Sequence, residues 1–105
     1  MIKIKDITIG LKGINILHCQ VLNPEFKEVI RDGNKLKVCN AILKDETGEI
    51  KISAYDFAAE FLANSEIINV KNCMCKTYGG DDKQEDMRQI STGYFGKIEV
   101  VKGKI

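Results

Sequence analysis

A chain of 105 residues is long enough for one hydrophobic core and too short for two, so a single domain over residues 1–105 is expected. Hydrophobic residues make up 44% and charged residues 30%, no apolar run approaches the roughly 18 residues of a membrane span, and Met1-Ile2-Lys3-Ile4-Lys5 is no signal peptide; the expectation is an intracellular protein with no membrane partner. The net charge of +1 excludes a basic field over the whole protein, so any nucleic-acid site has to be a local patch.

Strand signals dominate. Ile14 to Leu22 is an apolar, β-prone run and is predicted as the first strand. Asn23-Pro24 is expected to end it, because proline lacks the N–H that a ladder needs. Glu25 to Asn34 is predicted as a charged loop closing on the turn signature Asp32-Gly33-Asn34. Lys35 to Lys44 is the second predicted strand, followed by a tight turn, Asp45-Glu46-Thr47-Gly48, whose glycine suits a positive φ. Glu49 to Tyr55 alternates cleanly, with Ile50, Ile52 and Ala54 on one face and Lys51, Ser53 and Tyr55 on the other.

The period then changes. Asp56 to Ala63 reads as a short helix with Asp56 as N-cap, and Phe57 and Phe61, one turn apart, are expected to plug the core. Ile67 to Tyr78 is the fourth predicted strand. Ile68 and Val70 suit one parity and Cys73 and Cys75 the other, so a bulge is expected near Lys71-Asn72. Gly79 to Asp86 is a polar, acidic loop. Met87 to Val101 contains a fifth strand interrupted at Gly93 and Gly96. Three strands, a helix and two strands suit an all-β, five-stranded Greek-key barrel with its helix between the third and fourth strands.

Catalytic and metal constellations are missing. His18, the one histidine, adjoins Cys19 in a strand, where neighbours point to opposite faces and cannot form a nucleophile–base pair. Cys19, Cys39, Cys73 and Cys75 lack the paired spacing of a zinc site and are expected to be reduced core residues. No phosphate-cradling glycine motif occurs, so no cofactor, no metal and no enzymatic activity are expected. The positive signal is a pair of strand faces, Lys51/Ser53/Tyr55 and Met74/Lys76/Tyr78. Cations mixed with rings and a soft thioether suit a single strand whose bases stack while lysines follow its phosphates. The plain alternative is ordinary solvated strand surface.

Ordered short motifs add a resemblance. Lys5-Asp6-Ile7 with Gly10-Leu11-Lys12, then Asp32-Gly33, then Asp45-Glu46-Thr47-Gly48-Glu49-Ile50 with Tyr55-Asp56, and finally Thr92-Gly93 follow one another in this chain. Over roughly Ile4 to Gly93 the sequence resembles the simple single-OB single-stranded DNA-binding proteins of archaea and eukaryotes, the SOSS-B subunits nearest, with archaeal replication protein A domains close behind. The resemblance implies an OB fold that stacks bases on Tyr55 and Tyr78. Met74 stands where the family has an aromatic, as does Ser91, and the loop from Gly80 to Met87 is longer and more acidic. The expected site is Tyr55, Tyr78, Met74, Lys51, Ser53, Lys76 and Arg88, with the cations on phosphates. Implied partners are single-stranded DNA, or RNA, and a larger protein scaffold or other OB subunits in DNA repair or replication, in the nucleus of a eukaryote or the cytoplasm of an archaeon. Two rivals stay open: a structural OB subunit whose main ligand is a protein, and an RNA- or tRNA-binding domain.

Overall fold

The computed structural model describes residues 2–77, 88–93 and 95–104. A 3₁₀ turn over Ile4–Asp6 precedes β1 (Ile14–Arg31), β2 (Asn34–Asp45), β3 (Gly48–Tyr55), α1 (Phe57–Ala63), β4 (Ser65–Thr77), β5 (Arg88–Ser91) and β6 (Lys97–Gly103). The strands run β1-β2-β3-β5-β4, and β1 pairs again with β4, which closes a five-stranded barrel. The helix lies between the third and fourth strands, as expected. β5 and β6 lie end to end along one edge of β4, β5 against Met74–Thr77 and β6 against Ser65–Lys71, so together they form the interrupted fifth strand. The interruption requires glycine. A Cβ on Gly96 would strike the Thr92 carbonyl and lie 2.8 Å from Cys73 Sγ, while the Gly96 N–H donates to Thr92 O at 2.7 Å.

Period-two alternation fills the interior. Ile14, Ile16 and Cys19 from β1, Cys39, Ala41 and Leu43 from β2, Ile50, Ile52 and Ala54 from β3, and Ile68, Val70, Cys73 and Cys75 from β4 form one buried cluster with Ile90 and Ile98. The expected bulge in β4 is present. Ile14 pairs with Cys73 and Ile16 with Val70, so β4 carries one extra residue, and Asn72 takes a φ of +53°. The Asn72 N–H left outside the ladder donates to Asn15 Oδ1 at 3.0 Å.

Several expectations are corrected. Pro24 does not end β1. Leu22 pairs with Ile42 and Glu25 with Asn40, which leaves one surplus residue at Asn23-Pro24, and a bulge is a place where a strand tolerates proline. Glu25 to Arg31 then pairs with Asn34 to Asn40 across a two-residue Asp32-Gly33 turn with both φ positive, so the expected loop is a hairpin arm. Phe57 and Phe61 are not core residues: they are 78% and 48% exposed. The helix buries Ala59 and Leu62 and packs Ala58 and Ala63 against the core, and the two rings lie on the opposite side of its seven residues. Asp56 precedes the helix at φ +57° and its side chain makes no capping bond.

The Asp45–Gly48 turn is closed by a carboxylate rather than by a left-handed glycine. Asp45 Oδ1 accepts from Thr47 N at 2.7 Å, Thr47 Oγ1 at 2.6 Å and Gly48 N at 3.1 Å, and Oδ2 accepts from Ile4 N at 2.9 Å. Partial burial pushes this carboxyl up, but the bonds from Thr47, Ile4 and Gly48 more than offset it and hold its pKa below the ordinary value. Ile4 and Ile7, thus anchored, are buried in the core cluster.

Candidate nucleic-acid interface

Strand parity decides which side chains reach the outside of the barrel. With Cys39, Ala41, Ile50, Ile52, Ala54, Ile90 and Cys75 turned inward, their neighbours Asn40, Lys51, Ser53, Tyr55, Gln89, Ser91, Met74 and Lys76 belong to the outer face. Register aligns them in rows. Asn40 faces Ser53, Ser53 faces Ser91, and Ser91 faces Met74; alongside, Ile42, Lys51, Gln89 and Lys76 succeed one another. Tyr55, half-buried opposite Val38, ends the face on the side of the helix.

A polar network holds the middle of this face. Ser53 Oγ donates to Asn40 Oδ1 and accepts from Gln89 Nε2, the latter at 2.9 Å. The serine is only 7% exposed, and its hydroxyl is engaged as both donor and acceptor. This arrangement commits the Asn40 carbonyl and the Gln89 amino group to Ser53. The Asn40 amino group and the Gln89 carbonyl are then the ends suited to hydrogen-bond a base edge. Neither residue was among those expected from sequence. The signal was present: counting back from the Glu46-Thr47 turn places Asn40 opposite Ser53.

The expected site residues divide. Tyr55, Lys51, Lys76 and Met74 come together on the face, Lys51 and Lys76 exposed and Met74 half-buried. Ser53 is in place but is the hub of the network rather than a free contact. Arg88 departs from the phosphate role expected of it. It shares the inward parity of Ile90, and its Nη1 donates to Ile4 O at 2.8 Å and Ile7 O at 2.9 Å, which clamps the N-terminal segment. Tyr78 lies outside the described residues, as does the acidic loop that follows it.

Beside Tyr55 opens a cleft of about 530 Å³. Its walls include Arg31 from the end of the β1–β2 arm, Leu36, Tyr55, Asp56 and Phe57, Lys76 from β4, and Ser91 to Gly93 with Gly96 from the fifth-strand interruption. Thr92 is 3% exposed, and its Oγ1 has no hydrogen-bond partner among the described residues. An unsatisfied buried hydroxyl costs about 1–3 kcal/mol. A second, shallower apolar cleft lies at the far end of the helix, lined by Phe26, Phe61, Ala63 and Val100 with Glu60, Asn64 and Ser65.

The four cysteines are buried in the barrel and form no disulfide with one another. Burial pushes Cys19 up to about 12 and Cys73 up to about 11, so both stay protonated and unreactive near neutrality. His18 is exposed while Cys19 is buried, which keeps the two side chains apart.

No family model matches the chain, and no curated protein matches it in sequence. Solved structures do match. The OB domain of a Thermoplasma acidophilum protein, determined by NMR in solution, aligns over 99% of this chain and 89% of its own, with 19% identity and a TM-score of 0.70. A chain from a replication protein A heterotrimer bound to ssDNA aligns over 95% of this chain with 14% identity and a TM-score of 0.73, and this chain spans 24% of that one. The likeness is one of fold, and the barrel is an OB fold.

Proposed function

We propose that this OB domain is a non-catalytic binder of single-stranded DNA, and that the strand lies across the outer face of β3, β5 and β4. The observation that carries the reading is the organised polar row Asn40–Ser53–Gln89, bordered by Tyr55, Met74, Lys51 and Lys76. A hydrogen-bonded row with a ring at one end suits unpaired bases, which offer edges to amides and flat faces to aromatics. A duplex hides both. That a chain of similar fold belongs to a replication protein A heterotrimer captured on ssDNA supports the choice. By the same likeness and the sequence resemblance, the domain works with other OB subunits or a scaffold in DNA repair or replication inside the cell. DNA is preferred to RNA on that resemblance.

Fluorescence anisotropy of labelled single-stranded DNA, single-stranded RNA and duplex of one length, at two salt concentrations, tests it. Single strands should outcompete duplex, and Tyr55→Ala should cost about 1–3 kcal/mol of binding without a change of fold. Equal affinity for duplex would overturn the reading. A second reading, a subunit held chiefly by protein, is favoured by the apolar cleft of Phe26, Phe61 and Val100, whose side chains are exposed at the opposite end of the helix from Tyr55.

A further inference from the structure

We propose that the bound strand leaves the sheet face at Tyr55 and places one further unpaired base in the adjoining cleft, against the ring of Phe57. The inference deepens the reading above and rests on it. Tyr55 and Lys76 belong to both surfaces, so a strand that crosses the face is led into the cleft without a gap. Phe57 stands 78% exposed in its wall, and a ring so placed offers a π-face that any base can stack on. Arg31, at the end of the hairpin arm, supplies a guanidinium suited to a phosphate. Asp56 also lines the cleft and repels an anion, which assigns the phosphate to the Arg31 wall.

Thr92 is an independent observation that points to a ligand. It lines the same cleft, is 3% exposed, and keeps a buried Oγ1 with no partner among the described residues. A hydroxyl is rarely left in that state without a reason. The Oγ1 is sealed from solvent in this conformation, so a base edge gains it as a partner by parting the cleft wall, and a hydroxyl can answer either a donor or an acceptor there. The cleft's 530 Å³ falls within the roughly 300–1,000 Å³ of small-ligand sites.

The test uses the full chain and labelled oligothymidylates of increasing length. At the shortest length that binds, the wild type and Phe57→Ala should have equal affinity. As the strand lengthens the wild type should gain and the variant should not, until they differ by roughly five- to hundredfold, the value of one stacked base. Thr92→Val should raise the thermal midpoint, since it removes an orphaned hydroxyl, and yet weaken the longer strands; a purely structural threonine would move the midpoint alone. Equal affinity of Phe57→Ala and wild type at every length overturns the cleft and leaves the sheet-face reading standing. A deficit of one size at every length overturns the additional base. Failure of the wild type to bind any single strand overturns both.

Discussion

The two plugs of the barrel are built on opposite plans. The N-terminal plug buries Ile4 and Ile7, and the polar groups around it are engaged: Asp45 takes the Ile4 N–H, Thr47 takes the Lys5 N–H at 3.1 Å, and Arg88 takes the Ile4 and Ile7 carbonyls. The helical plug buries only Ala59 and Leu62 and turns Phe57 and Phe61 outward. One plug is finished by its own hydrogen bonds. The other carries its largest side chains where they contribute little to folding. Burial of each ring would have stabilised the fold by about 1.5–3 kcal/mol, and leaving them exposed gives the helix an apolar outer side.

The sharpest way to break this comparison is to truncate the helix on each of its faces. Leu62→Ala should cost about 2–5 kcal/mol in urea denaturation, because it opens a cavity at a residue with no exposure. Phe61→Ala should stay within about 0.5 kcal/mol, as exposed positions do. Equal losses would mean that the rings, too, hold the fold.

At the other plug, Arg88→Ala should cost about 2–3 kcal/mol, since two carbonyls lose a charged donor. Asp45→Asn should cost less, about 1–2 kcal/mol at neutral pH, and should also change the acid limb of the stability curve. The folded-state pKa of Asp45 is lowered, so its contribution is fully present above the unfolded carboxylate value and is lost as pH falls through the folded one. Wild type should therefore lose stability below about pH 4 more steeply than Asp45→Asn. Denaturation midpoints at a series of pH values measure the difference, and parallel curves would exclude this carboxylate as the cause.

The same contrast explains what the sequence disclosed. Ile50, Ile52 and Ala54 announced the interior because one side of β3 meets only core. The β4 bulge was legible because Val70 and Cys73 cannot both point inward without an extra residue between them. The arm of Glu25 to Arg31 was not, since exposed residues predominate along it and no alternation marks it as a strand. The helix showed its Phe57/Phe61 pairing but not which face was buried. Aromatic character argues for the core, whereas the space at the barrel mouth admits Ala59 and Leu62. Arg88 was misread for a related reason: a cation on a strand suggests phosphate, and only parity and the nearby Ile4 and Ile7 carbonyls reveal a clamp.

The smallest expected effect separates these two kinds of cation. Lys76 is exposed on the face, across the ladder from Gln89, and it also lines the cleft; Arg88 is half-buried against backbone carbonyls. Both carry one charge, so composition cannot tell them apart. If Lys76 neutralises one phosphate of a single strand, Lys76→Ala should make the slope of log affinity against log salt shallower by about 0.7. The accompanying loss of affinity is modest, and the unfolding free energy should stay within about 0.5 kcal/mol of wild type. Arg88→Ala should do the reverse, lowering stability and leaving the salt slope unchanged in the fraction that remains folded. Titrations at four or five salt concentrations, beside denaturation curves for both variants, read the two quantities independently. A shallower slope in Arg88→Ala would return that residue to the interface, and an unchanged slope in Lys76→Ala would move the strand's path off β4.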